Sequence, residues 1–305
     1  MNNITKRYGA GKYALRNLSL TVPSNGGIFA LIGRNGAGKT TLIRILATQL
    51  LPTSGSATIN GMDVVDNAQG LREIIACVPQ EARAVGWVTP MQFITTYLMW
   101  RGVGHRDAGE KASLALGKLG LTKYMDKQCQ TLSGGTKRKV LVAMVVASGA
   151  KIIFLDEPTT GLDPISRSEL WTTLKELKKD HFIFLTTHYL EEAERLADRI
   201  AVLDDGKIKA VGTLEELRKK VKYPYSIKIL SKAHIDKPKN GMVVQGIDQN
   251  YQIVTTEKEA NTLSRKLIEK KVKFSMNPLT LDDIFYFIVR KPIEVEDYDE
   301  DDGQW

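Results

Sequence analysis

Apolar and polar positions along this chain fall into distinct periods. Residues 15–22 set Leu18, Leu20 and Val22 on alternate positions, the two-residue period of a half-buried strand. Residues 28–32 are continuously apolar, which predicts a strand buried on both faces; it runs directly into a glycine-rich loop and a helical stretch over 39–47. Residues 57–61 and 74–78 predict further strands. Spacing then turns helical over 91–101 and 107–119, so about 84–150 is predicted to be a mainly helical insertion. Strand patterns resume at 152–155, 182–185 and 200–203, with helical patterns at 166–178 and 190–198 between them. Alternation of this kind predicts a parallel sheet flanked by helices.

Asp205 and Gly206 supply a hairpin turn, and Thr213 with Glu216 three residues on is a capping-box signal for a short helix. A first, α/β domain is therefore expected over 1–217. Residues 219–224 read as a basic linker ending at Pro224. Beyond it, strand patterns at 225–230, 242–247 and 251–255 and helical patterns at 258–270 and 281–289 predict a small α+β domain over 218–293.

Composition changes this picture in three places. With 43% hydrophobic and 26% charged residues the chain has the make-up of a globular protein rather than a disordered one. The net charge of +8 conceals seven acidic residues, Glu294, Glu296, Asp297, Asp299, Glu300, Asp301 and Asp302, in a tail over 294–305 that reads as disordered; without them the body carries +15. A basic body suits nucleic acid, anionic lipid headgroups or ordinary solvated helices alike, so charge decides nothing by itself. Cys77 and Cys129 stand apart, with neither the spacing of a zinc site nor a secretory context, which points to a reducing cytoplasm. The longest apolar run, 140–147, falls far short of the roughly 20 residues a membrane-spanning helix needs, and the expectation is a polypeptide that does not itself cross a bilayer.

The candidate chemistry begins where the first buried strand ends. Gly33, Arg34, Asn35, Gly36, Ala37, Gly38, Lys39 and Thr40 spell G-x-x-x-x-G-K-T between a predicted strand and a predicted helix, the context in which such a loop turns its backbone N–H groups around phosphates. Lys39 is expected to reach the β- and γ-phosphates and the Thr40 hydroxyl to bind Mg²⁺. Residues 152–158 read I-I-F-L-D-E-P, so Asp156 and Glu157 emerge where a buried strand meets the ligand-binding edge of an open sheet. Asp156 is the candidate Mg²⁺ ligand, directly or through water, and Glu157 the base that accepts a proton from an attacking water. Ser133, Gly134 and Gly135 precede another helical stretch and form a second anion cradle. One nucleotide does not need two cradles from one subunit, so the second points to a partner subunit.

Taken in order, these segments resemble the nucleotide-binding domain of the ATP-binding cassette (ABC) family over about residues 1–217. Residues 33–40 resemble its Walker A loop, with Thr41 beside it, 132–136 its signature motif, 152–157 its Walker B strand and 161–164, with Asp163, its D-loop. Gln80 is similar to the Q-loop glutamine, placed to sense Mg²⁺ and the γ-phosphate, and His188 to the switch histidine. Tyr8 resembles the aromatic that stacks on adenine; Tyr13 competes for that role. Two positions depart from the family pattern, Thr136 where Gln is commonest and Met144 where Arg is common. The resemblance implies a P-loop NTPase fold of ABC type, with parallel core sheet, antiparallel β subdomain and helical subdomain. It further implies ATP hydrolysis with ATP and Mg²⁺, a head-to-tail dimer with a second copy or a related ABC subunit, and coupling to integral membrane permease subunits at the cytoplasmic face of the membrane. Residues 277–289 resemble the closing segment of exporter cassettes. The rival is a soluble ABC ATPase acting on nucleic acid or ribosomes, which usually carries tandem cassettes or a long coiled coil, and neither pattern occurs here. Met91, Phe93, Tyr97, Met99 and Trp100 read mainly as helical core, while an exposed apolar patch between Val85 and Trp100 would instead serve for docking a membrane partner.

Overall fold

The computed structural model describes residues 1–9, 11–23, 26–221, 223–229, 241–245 and 251–289. They divide into two compact units, Met1–Val211 and a second beginning at Gly212. The acidic tail over 294–305, and the strand expectations at 230 and 246–247, lie outside the described residues.

In the first unit the strands β3 (Gly27–Ile32), β7 (Ile75–Val78), β8 (Ile152–Asp156), β9 (Phe182–Thr187), β10 (Arg199–Asp204) and β11 (Lys207–Gly212) form one sheet in the order β11-β10-β3-β9-β8-β7. From β10 to β7 every neighbouring pair is parallel, so the C-terminal ends of β3, β9, β8 and β7 share one edge. Their continuous apolar runs are buried as expected for strands covered on both faces. Phe29, Phe184 and Phe154, from three adjacent strands, pack in sequence, the first pair stacked with ring centroids 5.2 Å apart and the second tilted at 5.8 Å. Each such side chain removed from water contributes about 1.5–3 kcal/mol. Helices α1 (Lys39–Leu46), α2 (Ala68–Ile74), α6 (Pro164–Leu177) and α7 (Leu190–Leu196) connect the strands. Between β10 and β11, Asp205 and Gly206 both adopt positive φ, 45° and 71°, as a two-residue hairpin turn requires.

A smaller sheet joins β1 (Asn2–Tyr8), β2 (Lys12–Leu18) and β4 (Ser54–Ser56) in the order β2-β1-β4, with both pairings antiparallel. The alternation over 15–22 belongs to a strand only as far as Leu18: Asn17 sits at φ 47° and the backbone then runs irregularly to Pro23, although Leu18 and Leu20 stay buried. The strand expected at 57–61 is a short hairpin, β5 (Thr58–Ile59) and β6 (Met62–Asp63), because Asn60 and Gly61 take positive φ, 50° and 80°, and turn the chain. The helical insertion consists of α3 (Pro90–Trp100), α4 (His105–Lys118) and α5 (Gly134–Ala147). A complete capping box, Thr89 with Gln92, starts α3. Helix α4 turns Ala108, Ala112, Ala115 and Leu116 inward at helical spacing, and the apolar run on α5 is buried nearly all round. Burial pushes the Cys77 thiol up to about 12.

In the second unit, α8 (Leu214–Lys220) follows the capping box of Thr213 and Glu216 and runs into the stretch expected to be linker. Strands β12 (Tyr225–Ile229), β13 (Gly241–Gln245), β14 (Tyr251–Thr255) and β15 (Phe274–Pro278) make an antiparallel sheet in the order β13-β14-β12-β15. Helix α9 (Glu257–Glu269) buries Ala260, Leu263 and Leu267 against Ile227, Ile229 and Ile253. Helix α10 (Leu281–Val289) is fixed by buried Asp283, which accepts from Thr280 Oγ1 at 2.8 Å and from Gln252 Nε2 at 2.8 Å. No described helix is long and apolar enough to cross a membrane.

Candidate functional site

A cleft of about 700 Å³ lies over the shared strand edge, lined by Tyr8, Asn35, Gly36, Lys39, Gln80, Glu157 and His188 among others. Gly38 closes the loop at φ 111°, where a Cβ would collide with the Ala14 carbonyl oxygen, so only glycine fits the turn into α1. Lys39, the first residue of that helix, is almost wholly buried. Its ammonium donates to the carbonyls of Gly33 at 2.8 Å and Arg34 at 3.1 Å and pairs with Glu157 Oε1 at 3.1 Å.

Glu157 is where the site converges. It follows β8 at φ 48°, a left-handed conformation that costs a non-glycine residue about 1–3 kcal/mol, and its N–H is held by the backbone carbonyl and Oγ1 of Thr186, each 3.1 Å away. Its Oε2 accepts from Gln80 Nε2 at 3.2 Å and Thr160 Oγ1 at 3.1 Å, and lies 3.0 Å from His188 Nδ1. An acceptor at that position places the proton of a neutral His188 ring on Nδ1. Asp156 sits one residue back, 1% exposed, with Oδ1 accepting from Thr186 Oγ1 at 2.5 Å.

Oxygen donors suit Mg²⁺, which takes one or two protein ligands and completes its shell with phosphates and water. Thr40 and Gln80 line the cleft, whereas Asp156 does not and is buried beneath it. Among the described residues no cluster of three or more His, Cys, Asp or Glu could hold a metal ion alone, so this donor set fits a metal that arrives with its nucleotide.

The remaining candidates divide. Thr41 lines the cleft, and Tyr8 does so with its hydroxyl 3.5 Å from Thr41 Oγ1; Tyr13 faces a separate concavity with Arg7 and Arg16 over its ring. Gly33, Arg34 and Ala37 shape the loop from outside the cleft. Ser133, Gly134 and Gly135 are not brought to it. Ser133 caps α5, accepting from the Thr136 N–H at 3.2 Å with the two hydroxyls 2.9 Å apart, and Gly135 is buried where a Cβ would collide with the Ser166 side chain. Asp163 also lies outside and caps α6, accepting from the N–H groups of Ile165 and Ser166, both at 3.0 Å. Hydrogen bonding to Ser166, side chain and backbone, holds its carboxyl below the usual range.

Thr160 and Thr186, which orient the two acids, carry no sequence signal beyond a hydroxyl near a strand end. Met99 and Trp100 were expected mainly in the helical core, and the structure corrects this. They are exposed, Trp100 at 84%, as are Trp87 at 73% and Val85 at 40%, while Ile94 and Leu98 fill the inner face of α3.

The family model described as ABC transporter matches residues 15–160. The chain is 39% identical over 221 residues to ABC transporter A family member 8 of Dictyostelium discoideum, covering 72% of this chain and 26% of that protein. It is 34% identical over 223 residues to Phospholipid-transporting ATPase ABCA3 of Rattus norvegicus, covering 73% of this chain and 13% of that one. The chain thus spans about a quarter or less of the length of these relatives. A dimeric ATP-binding cassette solved in a post-hydrolysis state with ADP and phosphate superposes with a TM-score of 0.62 at 25% identity, covering 70% of this chain and 97% of the cassette.

Proposed function

From the premise that this chain belongs to the ABC transporter family through the ATPase cassette of its first unit, we propose that it hydrolyses ATP as one half of a head-to-tail dimer and drives export through membrane-spanning partner subunits at the cytoplasmic face. The observation that carries this reading is the convergence of Lys39, Gln80, Thr160 and His188 on the single carboxylate of Glu157. Tyr8 offers its ring to the adenine, and the loop N–H groups with Lys39 cradle the phosphates. Thr40, Gln80 and Asp156 would hold a Mg²⁺ that comes with the nucleotide, which would neutralise phosphate charge. Glu157 takes the proton of the attacking water, and Gln80 and His188 fix the direction of its lone pairs. Ser133, Gly134 and Gly135, turned away from this chain's own cleft, complete the site of the opposite subunit, and Asp163 lies on the same interface. Closure of such a dimer is driven by the higher affinity of ATP for the closed state.

The exposed patch of Val85, Trp87, Met99 and Trp100, joined by chain to Gln80, is the docking surface for the membrane partner. The kinship with a phospholipid-transporting ATPase makes a lipid the first cargo to assay. Fractionation of cells that express the chain tests the assignment: recovery in the membrane together with an integral membrane protein is expected, and recovery with ribosomes or DNA would overturn it.

A further inference from the structure

Lys137, Arg138 and Lys139 follow the Ser-Gly-Gly motif, and a run of three cations is ordinarily a solvated face. The structure separates them. Lys137 and Lys139 are partly exposed; Lys137 donates to the Gln130 carbonyl at 3.1 Å and Lys139 pairs with Glu169 at 2.8 Å. Arg138 is only 7% exposed, and its guanidinium is spent on backbone carbonyls: Nε to Pro158 at 2.7 Å, Nη2 to Asp156 at 3.2 Å and Glu157 at 3.1 Å, and Nη1 at the longer 3.5 Å to Gln80.

Three of those carbonyls are consecutive and wrap the left-handed turn at Glu157. Thr186 pins the peptide on the N-terminal side of Glu157, and Arg138 pins the peptide on its C-terminal side. The same guanidinium reaches the backbone of Gln80, whose side chain bonds the Glu157 carboxylate. A planar fork with five donors can serve several carbonyls at once, whereas a lysine ammonium on a flexible stem cannot hold that arrangement.

We propose that Arg138 is a positioning residue for hydrolysis, holding the Glu157 carboxylate and the Gln80 backbone in register and tying the first turns of the signature helix to the base of its own chain. The inference rests on the proposed reading of Glu157 as base. It gives α5 two tasks. Its N-terminus, at Ser133, serves the nucleotide of the opposite subunit, and little more than one turn later Arg138 sets the base of this subunit, so the two composite sites communicate through one helix.

The test uses the full chain, with ATP turnover measured over a range of ATP concentrations for wild type, Glu157→Gln, Arg138→Met, which keeps the apolar stem and loses the donors, and Arg138→Lys, which keeps the charge and loses the fork. Wild-type turnover above that of Glu157→Gln establishes the reading itself; equal turnover would remove that reading, a failure distinct from any behaviour of the Arg138 variants. Arg138→Met is expected to lower kcat on the order of 10²-fold while KM stays within about threefold, with Arg138→Lys between it and wild type. Amide exchange should quicken over 156–161 and not over α1. A mixture of Arg138→Met and Ser133→Arg chains should regain activity, because both faults then fall in one composite site and leave the other intact. Unchanged kcat, or KM rising in step with the loss of kcat, would overturn the proposal. So would recovery in a Lys39→Ala with Ser133→Arg mixture but not in the Arg138→Met mixture, since Arg138 would then act through the signature surface. Should Arg138→Met fail to fold, Arg138→Lys decides: depressed kcat with intact KM supports the role, and full turnover refutes it.

Discussion

Glu157→Gln separates what the carboxylate does from what its shape does. The amide oxygen can take the place of Oε2 and still accept from Gln80, Thr160 and His188, which turns the NH₂ group toward Lys39, where Oε1 had stood 3.1 Å from Nζ. Removing one member of a buried pair costs about 3–5 kcal/mol when the other is stranded. Lys39 is not stranded, since Gly33 and Arg34 still accept from it, so the expected loss in the nucleotide-free protein is about 1–3 kcal/mol. In a domain of this size that lowers the melting midpoint by about 2–12 °C. Bound phosphates give Lys39 an anionic partner again, so ATP with Mg²⁺ should raise the midpoint more in the variant than in wild type. Turnover should fall about 10²- to 10⁴-fold, the contribution of a general base. Phosphate release at saturating ATP and melting with and without nucleotide read both effects. Turnover within about threefold of wild type would dismiss Glu157 as the base, and a smaller nucleotide-induced shift in the variant would refute the competition between Glu157 and phosphate for Lys39.

Three other outcomes follow from the structure. Ser133→Arg and Lys39→Ala should each be inactive as homodimers and regain part of the activity when mixed, because one composite site is then intact; full activity in either homodimer would refute the shared site. Trp100→Glu, at an 84% exposed position, should leave the ATPase rate of the isolated chain within about twofold and abolish co-purification with the membrane partner; normal partner binding would refute the docking assignment. Glu192 is fully buried, bonded by Trp171 Nε1 at 3.2 Å, and burial raises its carboxyl above the ordinary 4.5. Between 4.5 and the raised value the unfolded chain releases a proton that the folded chain keeps, so this group lowers stability as pH rises through that window. Glu192→Gln carries the neutral shape without the proton and should melt like wild type at acid pH and above it at neutral pH; a gap that does not widen with pH would refute this.

The parts of this molecule legible in the sequence are those written in local terms. Continuous apolar runs marked the buried strands, and the glycine loop was bounded by the strand and helix that position it. The N-terminal strand β1 was not legible, because Ile4 and Thr5 are its only buried residues and it shows no clean alternation. The Asn60-Gly61 turn was read as the end of a strand because the strands it joins are two residues long, too short for any period to register. Within the site, Lys39, Glu157 and His188 stood out as motif members. Thr160, Thr186 and Arg138 did not, since what they do depends on which backbone atoms lie across from them. Arg138 in particular is indistinguishable in sequence from Lys137 and Lys139 on either side.

Strand order explains why one carboxylate gathers so many partners. Glu157 follows β8, which has β9 on one side and β7 on the other, at the strand spacing of about 4.8 Å. Residues just beyond those two strands therefore reach it with side chains of ordinary length, His188 from β9 and Gln80 from β7. The register pairs Asp156 with Thr186 directly, and this accounts for the hydroxyl bond that fixes Asp156 and for the second bond to the Glu157 N–H. The phosphate loop follows β3, two strands from β8, a lateral distance of about 10 Å. Only a long side chain starting from the first turn of α1 can bridge that gap, and Lys39 does. A parallel sheet in any other order would separate these groups: exchanging β9 and β10 would carry His188 three strands from Glu157, beyond the reach of an imidazole. The chemistry is thus a property of the order β3-β9-β8-β7, and the long crossover through the helical insertion joins β7 to its neighbour β8, so the segment that carries Trp87 and Trp100 leaves the sheet directly after Gln80.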